Sequence, residues 1–254
     1  MKQRVITAAV MIAVALPCII LGGTLLRILL AIVTVLGTYE YVKNVVEEKG
    51  TIQYALSAVM VIFTLLCIFF EEYSASLRIL LLIGLFFLNV HFEHFDILKI
   101  SYLYLMFSLI TVGLSCFDSI RELGFPETLM IFFLTYVTDS FALIGGMKFG
   151  KHKLNERISP NKTIEGSVCG YLCGAAVGIV YGLLATSYPK AVIFCAGLLI
   201  PIVSQLGDLA FSSIKRYFKI KDFSNIFPGH GGMLDRVDSL IFALAAFYII
   251  IEVL

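Results

Sequence analysis

Four aspartates stand where an apolar sequence has little reason to hold them. Asp139 and Asp208 lie inside long apolar runs, and Asp235 and Asp238 open the last one. An acid at the middle of a membrane helix costs about 2.5–3.5 kcal/mol on an insertion scale, so such a residue is a functional candidate by default. Asp139 and Asp208 each precede the end of their run by about seven residues. At about 1.5 Å rise per residue, both sit roughly 10 Å below the same rim. Ser204, Asp208, Ser212 and Lys215 recur at helical spacing and share one face of their helix. Asp235 and Asp238 are three apart and also share a face. Hard oxygen ligands with basic residues nearby, and no cysteine or histidine cluster, suit Mg²⁺. That ion is commonly held by one or two carboxylates plus substrate phosphates. The metal candidates are Asp208, Asp235 and Asp238, with Asp139 as a further one and a second cation left open. Plainer readings compete: acids favoured at a helix start for Asp235 and Asp238, an ion pair with Lys215 or Arg216 for Asp208, and a local hydrogen bond to Thr135 for Asp139.

Two polar stretches supply candidates for the phosphate side. Lys215, Arg216, Lys219 and Lys221 precede Pro228-Gly229-His230-Gly231-Gly232, and Arg236 follows. Small residues let a backbone approach a ligand and form amide nests for anions, and a helix start adds to that attraction. The earlier stretch holds Lys148, Lys151, His152, Lys153, Arg157 and Lys162 around Ser159-Pro160-Asn161-Lys162-Thr163-Ile164-Glu165-Gly166. Its plainer reading is a helix start with Ser159 as cap and Pro160 in the first turn, which still leaves Lys162 and Thr163 facing a phosphate. A glycine-rich turn or a basic loop is weak by itself. The combination with intramembrane acids at one rim is what carries weight.

The elements that position these residues are membrane helices. Apolar residues make up 59% of the 254, charged residues 15%, and mean hydropathy is +0.96. Soluble domains have about 25% charged residues. The expected fold is all-α and polytopic, with about nine spans at 5–22, 25–42, 54–70, 76–91, 100–116, 128–146, 167–186, 190–215 and 237–254. The first span follows Lys2 and Arg4 like a signal peptide, but Pro17 precedes Cys18 and no small-x-small site follows, so an uncleaved span is expected. Sorting Lys and Arg by side puts 15 with the N-terminus and even-numbered loops, Lys2, Arg4 and Lys49 among them. Arg27, Arg78, Arg121 and Lys190 fall on the other side. That bias places the N-terminus and the loops 147–166 and 216–236 in the cytoplasm. One integral membrane domain, 1–254, is expected, with a helical scaffold over 1–125 and a catalytic half over 126–254. Cys18, Cys67, Cys116, Cys169, Cys173 and Cys195 all lie in or beside apolar runs and read as small packing residues. A net charge of +1 gives no reason to expect a nucleic-acid partner.

The motif from Ser212-Ser213-Ile214-Lys215-Arg216 through Lys221-Asp222 to Pro228-Gly229-His230-Gly231-Gly232-Met233-Leu234-Asp235-Arg236-Val237-Asp238 resembles the signature of the phosphatidate cytidylyltransferase (CDP-diacylglycerol synthase) family. Gln205-Leu206-Gly207-Asp208, Asp139-Ser140-Phe141-Ala142, Gly150-Lys151-His152-Lys153-Leu154 and the stretch 159–166 are similar to it as well. The likeness is close over 135–240. Met147 departs from it, since a basic residue is usual there. The resemblance implies Mg²⁺-dependent transfer of CMP from CTP to phosphatidic acid by a homodimer of the inner membrane, with Asp208, Asp235 and Asp238 around metal and CTP phosphates. Lys215 and Arg216 are expected to be catalytic, as donors that neutralise phosphate charge. Substrate contacts are expected from Lys151, Lys162, Thr163, Ser212, Lys219, Lys221, His230, Gly231, Gly232 and Arg236. A CTP-dependent lipid kinase or a CDP-archaeol-type synthase would use similar parts, and a cation transporter would also hold intramembrane acids.

Overall fold

The computed structural model describes residues 2–46 and 50–254, without the side chains of 2–5 and 8. The side chains of Lys2 and Arg4 and all of Lys49, three of the charges sorted above, lie outside the described residues. Helices α1 (Lys2–Leu21), α2 (Gly23–Lys43), α3 (Thr51–Phe69), α4 (Ser74–His91) and α5 (Ile97–Leu123) come first, with a 3₁₀ turn at Glu71–Tyr73 before α4. Then α6 (Phe125–Phe132) runs through a π-helical turn (Phe133–Val137) into α7 (Thr138–Phe149). A short hairpin follows, then α8 (Ile164–Ala185), α9 (Lys190–Tyr217) and α10 (Leu234–Val253). Each expected span coincides with a helical segment, with α6, the π turn and α7 together filling the sixth.

Among the described residues, seven segments are long and apolar enough to cross a bilayer: 23–43, 51–69, 71–91, 97–123, 125–149, 164–185 and 190–217. Helix α1 contributes a shorter apolar stretch, Ala9–Leu21. Helix α10 carries Asp235, Arg236, Asp238 and Glu252. Large apolar side chains such as Leu184, Val90 and Phe87 stand exposed on these helices. A chain of this kind is a multi-pass membrane protein whose outer surface lipid can cover.

The helical architecture has one addition. Strands β1 (Lys153–Asn155) and β2 (Ser159–Thr163) pair antiparallel, with Lys153 opposite Thr163 and Asn155 opposite Ser159. The Asn155 side chain accepts from the Ile158 amide at 3.2 Å and braces the turn. This corrects the expected helix start. Ser159 and Pro160 are in a strand, and α8 begins at Ile164 with Thr163 as its cap, the threonine hydroxyl accepting from the Gly166 amide at 3.1 Å.

The chain divides into two compact units. The first holds Met1–Ser115 and Asp222–Leu234. Its core is built on Leu26, Leu30, Tyr41, Met60, Leu103, Met106, Phe107 and Ile110, all fully buried. Two hydroxyls inside it are answered locally: Ser57 donates to the Gln53 carbonyl and Thr64 to the Met60 carbonyl, each at 2.8 Å. The second unit holds Cys116–Lys221 and Asp235–Leu254. Its packing rests on glycines four apart along α8. A Cβ at Gly166 would stand 2.5 Å from the Ala142 carbonyl oxygen, and one at Gly170 2.5 Å from that of Thr138. Only glycine lets α7 and α8 come that close, which is how membrane helices gain dispersion contact without a hydrophobic driving force.

Candidate active site

In the second unit, α9 carries the site's central acid. Asp208 is half-buried and ion-paired with Lys162 of β2. One turn on, the Ser212 hydroxyl donates to Asp208 Oδ1 at 3.3 Å. The hairpin therefore delivers Lys162 to α9, a pairing that no local spacing could show. Gly207 makes room beside Asp208. A Cβ there would meet Phe242 Cβ at 2.9 Å and the Asp238 carbonyl oxygen at 3.0 Å, so α9 and α10 touch at this level.

The other acids gather around the same point. Asp139 and Asp238 both feel the charge of Asp208, and Asp238 also that of Asp139. Lys162 acts on Asp139, and Lys215 on Asp238. Asp139 stands two residues past the π turn, a distortion that often marks functional positions. Its polar neighbour is Ser239 of α10, and the buried Thr135 hydroxyl has no hydrogen-bond partner. Asp238 accepts from the Ser239 amide at 2.8 Å.

Lys215 donates to Asp235 Oδ1 at 2.6 Å, and both side chains are buried. The ion pair weighed for Asp208 thus forms elsewhere: Lys215 takes Asp235, and Asp208 takes Lys162. Arg216 is a tether. Its Nε donates to the Ile158 carbonyl at 3.1 Å and its Nη1 to the Ile220 carbonyl at 3.0 Å, joining the hairpin turn to the end of α9.

The remaining candidates are more peripheral. The Lys151 amide donates to Glu165 Oε2 at 3.0 Å, and the His152 ring nitrogen Nδ1 lies 2.6 Å from Glu165 Oε1, so Glu165 folds this stretch onto the start of α8. Lys219 is exposed at a left-handed φ of 55°, closing α9 with its amide on the Arg216 carbonyl at 3.0 Å. Lys221 and Arg236 are exposed.

His230, Gly231 and Gly232 belong to the first unit. The turn there closes with the Phe227 amide on the Gly231 carbonyl at 2.9 Å and the His230 amide on the Phe227 carbonyl at 2.8 Å. Gly231 has φ 82°, which a side chain would resist. The helix start that follows was expected to attract a phosphate. Instead, the Met233 and Leu234 amides donate to Glu40 of α2 at 2.8 and 2.9 Å. Glu40 was missed, although it carries the signal that singled out Asp139: an acid near the end of an apolar run.

The oxygen donors of Asp139, Asp208 and Asp238 suit a hard cation. Among the described residues, no three His, Cys, Asp or Glu side chains form a ready-made metal cage. Mg²⁺ needs no such cage, since it keeps waters and takes phosphate oxygens. The donor set fits it.

Acids paired with lysines, Asp208 of α9 with Lys162 of the hairpin and Lys215 of α9 with Asp235 of α10, are parts for handling phosphates. Comparison with known proteins agrees with that chemistry: the model of the cytidylyltransferase family matches residues 2–254. The chain belongs to the cytidylyltransferase family. Similar proteins within it include the phosphatidate cytidylyltransferase of Staphylococcus haemolyticus (strain JCSC1435), 30% identical over 251 residues, 96% of either chain. Another is that of Staphylococcus aureus (strain COL), 31% identical over 251 residues, again 96% of either chain. The family match therefore takes in both the helices of the first unit and the acid–lysine cluster of the second.

Proposed function

We propose that this protein transfers CMP from CTP to phosphatidic acid, forming CDP-diacylglycerol and pyrophosphate. The observation that carries this reading is membership of the cytidylyltransferase family over residues 2–254, with relatives named phosphatidate cytidylyltransferase. The gathering of Asp139, Asp208 and Asp238 with Lys162 and Lys215 supports it. An oxygen of the lipid phosphate attacks the α-phosphorus of CTP, the bond to the β-phosphate breaks, and pyrophosphate leaves. The lipid phosphate is already ionised near neutral pH, so no strong base is required. The enzyme's task is charge neutralisation and alignment. Asp208 and Asp238, with Asp139 beside them, are the residues that would hold Mg²⁺, which when bound neutralises phosphate charge. Lys162 adds positive charge at the phosphates, while Lys215 orients Asp235 and Arg216 keeps the hairpin and the end of α9 in register.

The reading extends to topology. With nine crossings, the charge bias of 15 against 4 favours a cytoplasmic N-terminus and a site opening to the cytoplasm, and the family resemblance implies the inner membrane. The protein is proposed to act as a homodimer, on the strength of the family resemblance. A membrane site that opens to water lets lipid enter sideways while CTP arrives from solution.

The deciding experiment follows the label. With phosphatidic acid and Mg²⁺, CTP labelled at the α-phosphate should put label into lipid, and γ-labelled CTP should leave it in water as pyrophosphate. Label reaching lipid from the γ-position alone would identify a lipid kinase and end this proposal.

A further inference from the structure

Glu40 is fully buried near the end of α2, in an otherwise apolar helix. Its carboxylate is met from several sides within the first unit. Oε1 accepts from the Ser224 hydroxyl at 2.6 Å and from the Met233 amide at 2.8 Å, and Oε2 accepts from the Leu234 amide at 2.9 Å. Gly232 presses its bare Cα side against the same group, where a Cβ would come within 2.7 Å of Oε2. A buried carboxylate is costly unless its oxygens are taken up by donors, and charge-assisted bonds to backbone amides are among the strong ones. Here the acceptor comes from α2 and the donors from a segment some 190 positions later in the chain.

We infer that Glu40 is a positioning residue for the transfer reaction: it clamps the segment 224–234 and sets where α10 begins. Leu234 is the first residue of that helix, and Asp235 and Asp238 follow in its first turns. A helix start that shifts carries its acids with it, and a misplacement of about 1 Å near reacting groups costs up to about 10²-fold in rate. Glu40 thus does at this helix start what a bound anion would do.

This inference rests on the cytidylyl-transfer reading, and the test separates the two. Amide hydrogen exchange of purified protein reads the clamp without any turnover, while wild-type CTP turnover reads the reaction. In Glu40→Gln, one acceptor oxygen becomes an NH₂ group facing an amide donor. Exchange of the Met233 and Leu234 amides should quicken about tenfold. The kcat with phosphatidic acid should fall about tenfold or more, with KM for CTP changing less. Ser224→Ala, which leaves both amide bonds intact, should keep slow exchange and most of kcat. Normal kcat in Glu40→Gln overturns the proposal, as does a lowered kcat with unchanged exchange. Should Glu40→Gln fail to fold, Glu40→Asp keeps the charge on a shorter arm. There too kcat must track exchange, and slow exchange with lost turnover sinks the idea.

Discussion

Asp208 and Lys162 neutralise each other across the hairpin and α9, and neither is deeply buried. Their worth therefore lies in what they do for phosphates rather than in stability. Asp208→Asn keeps the shape and removes the charge. It should lower CTP turnover by about 10²–10³ while the protein still inserts and remains monodisperse. The double variant Asp208→Asn with Lys162→Gln should be little worse than the single, because the two act as a unit. Near-normal turnover in Asp208→Asn would remove this residue from the site. The pair of Lys215 and Asp235 is a different case. Both side chains are buried, and Lys215→Met leaves Asp235 charged with its lysine gone. A loss of about 3–5 kcal/mol is expected, read as a lowered melting temperature in detergent. Lys43→Ala and Lys99→Ala each remove one positive charge outside the site and should leave that temperature unchanged. Equal effects in all three would mean that Lys215 is a surface charge.

Elements matter through how closely they pack. Gly207 sets the distance between α9 and α10 next to Asp208. Gly207→Ala would raise helix propensity by up to about 1 kcal/mol, yet its Cβ has Phe242 Cβ at 2.9 Å and the Asp238 carbonyl at 3.0 Å to displace. The backbone must move, and the acids with it. Turnover should fall by about tenfold or more while helix content is retained. Gly84 of α4 has nothing within 4 Å of where a Cβ would stand. Gly84→Ala should keep full activity and match or exceed the wild-type melting temperature. If both variants behave alike, the contact at Gly207 does not control the site. The hairpin is the element hardest to foresee. Strands of three and five residues, Lys153–Asn155 and Ser159–Thr163, are too short for alternation to register. Ser159-Pro160 also imitates a helix start.

At the scale of the molecule, the claim to test is sidedness. Glu156 in the hairpin turn, Lys221 after α9 and Ser187 before α9 are all exposed. In a background without the six native cysteines, Glu156→Cys and Lys221→Cys should react with an impermeant thiol reagent only from the cytoplasm. Ser187→Cys should react only from outside. Positions 156 and 221 labelling from opposite faces would break the proposed topology.

Much of this protein was legible in its residues. Helix positions could be read because a bilayer demands an apolar run for every crossing, and that demand is met residue by residue along the chain. The acids stood out for the same reason, each being a local exception to a local rule. Partners were another matter. That Lys162 takes Asp208, that Lys215 takes Asp235 and that Asp139 turns to Ser239 depends on which helices pack against which. Glu40 was visible as an acid but not as a clamp, because its donors lie far away in the chain. Hydropathy and helix spacing are properties of neighbours in sequence. A hydrogen bond between α2 and the start of α10 exists only after folding has brought them together, so only the tertiary structure could decide it.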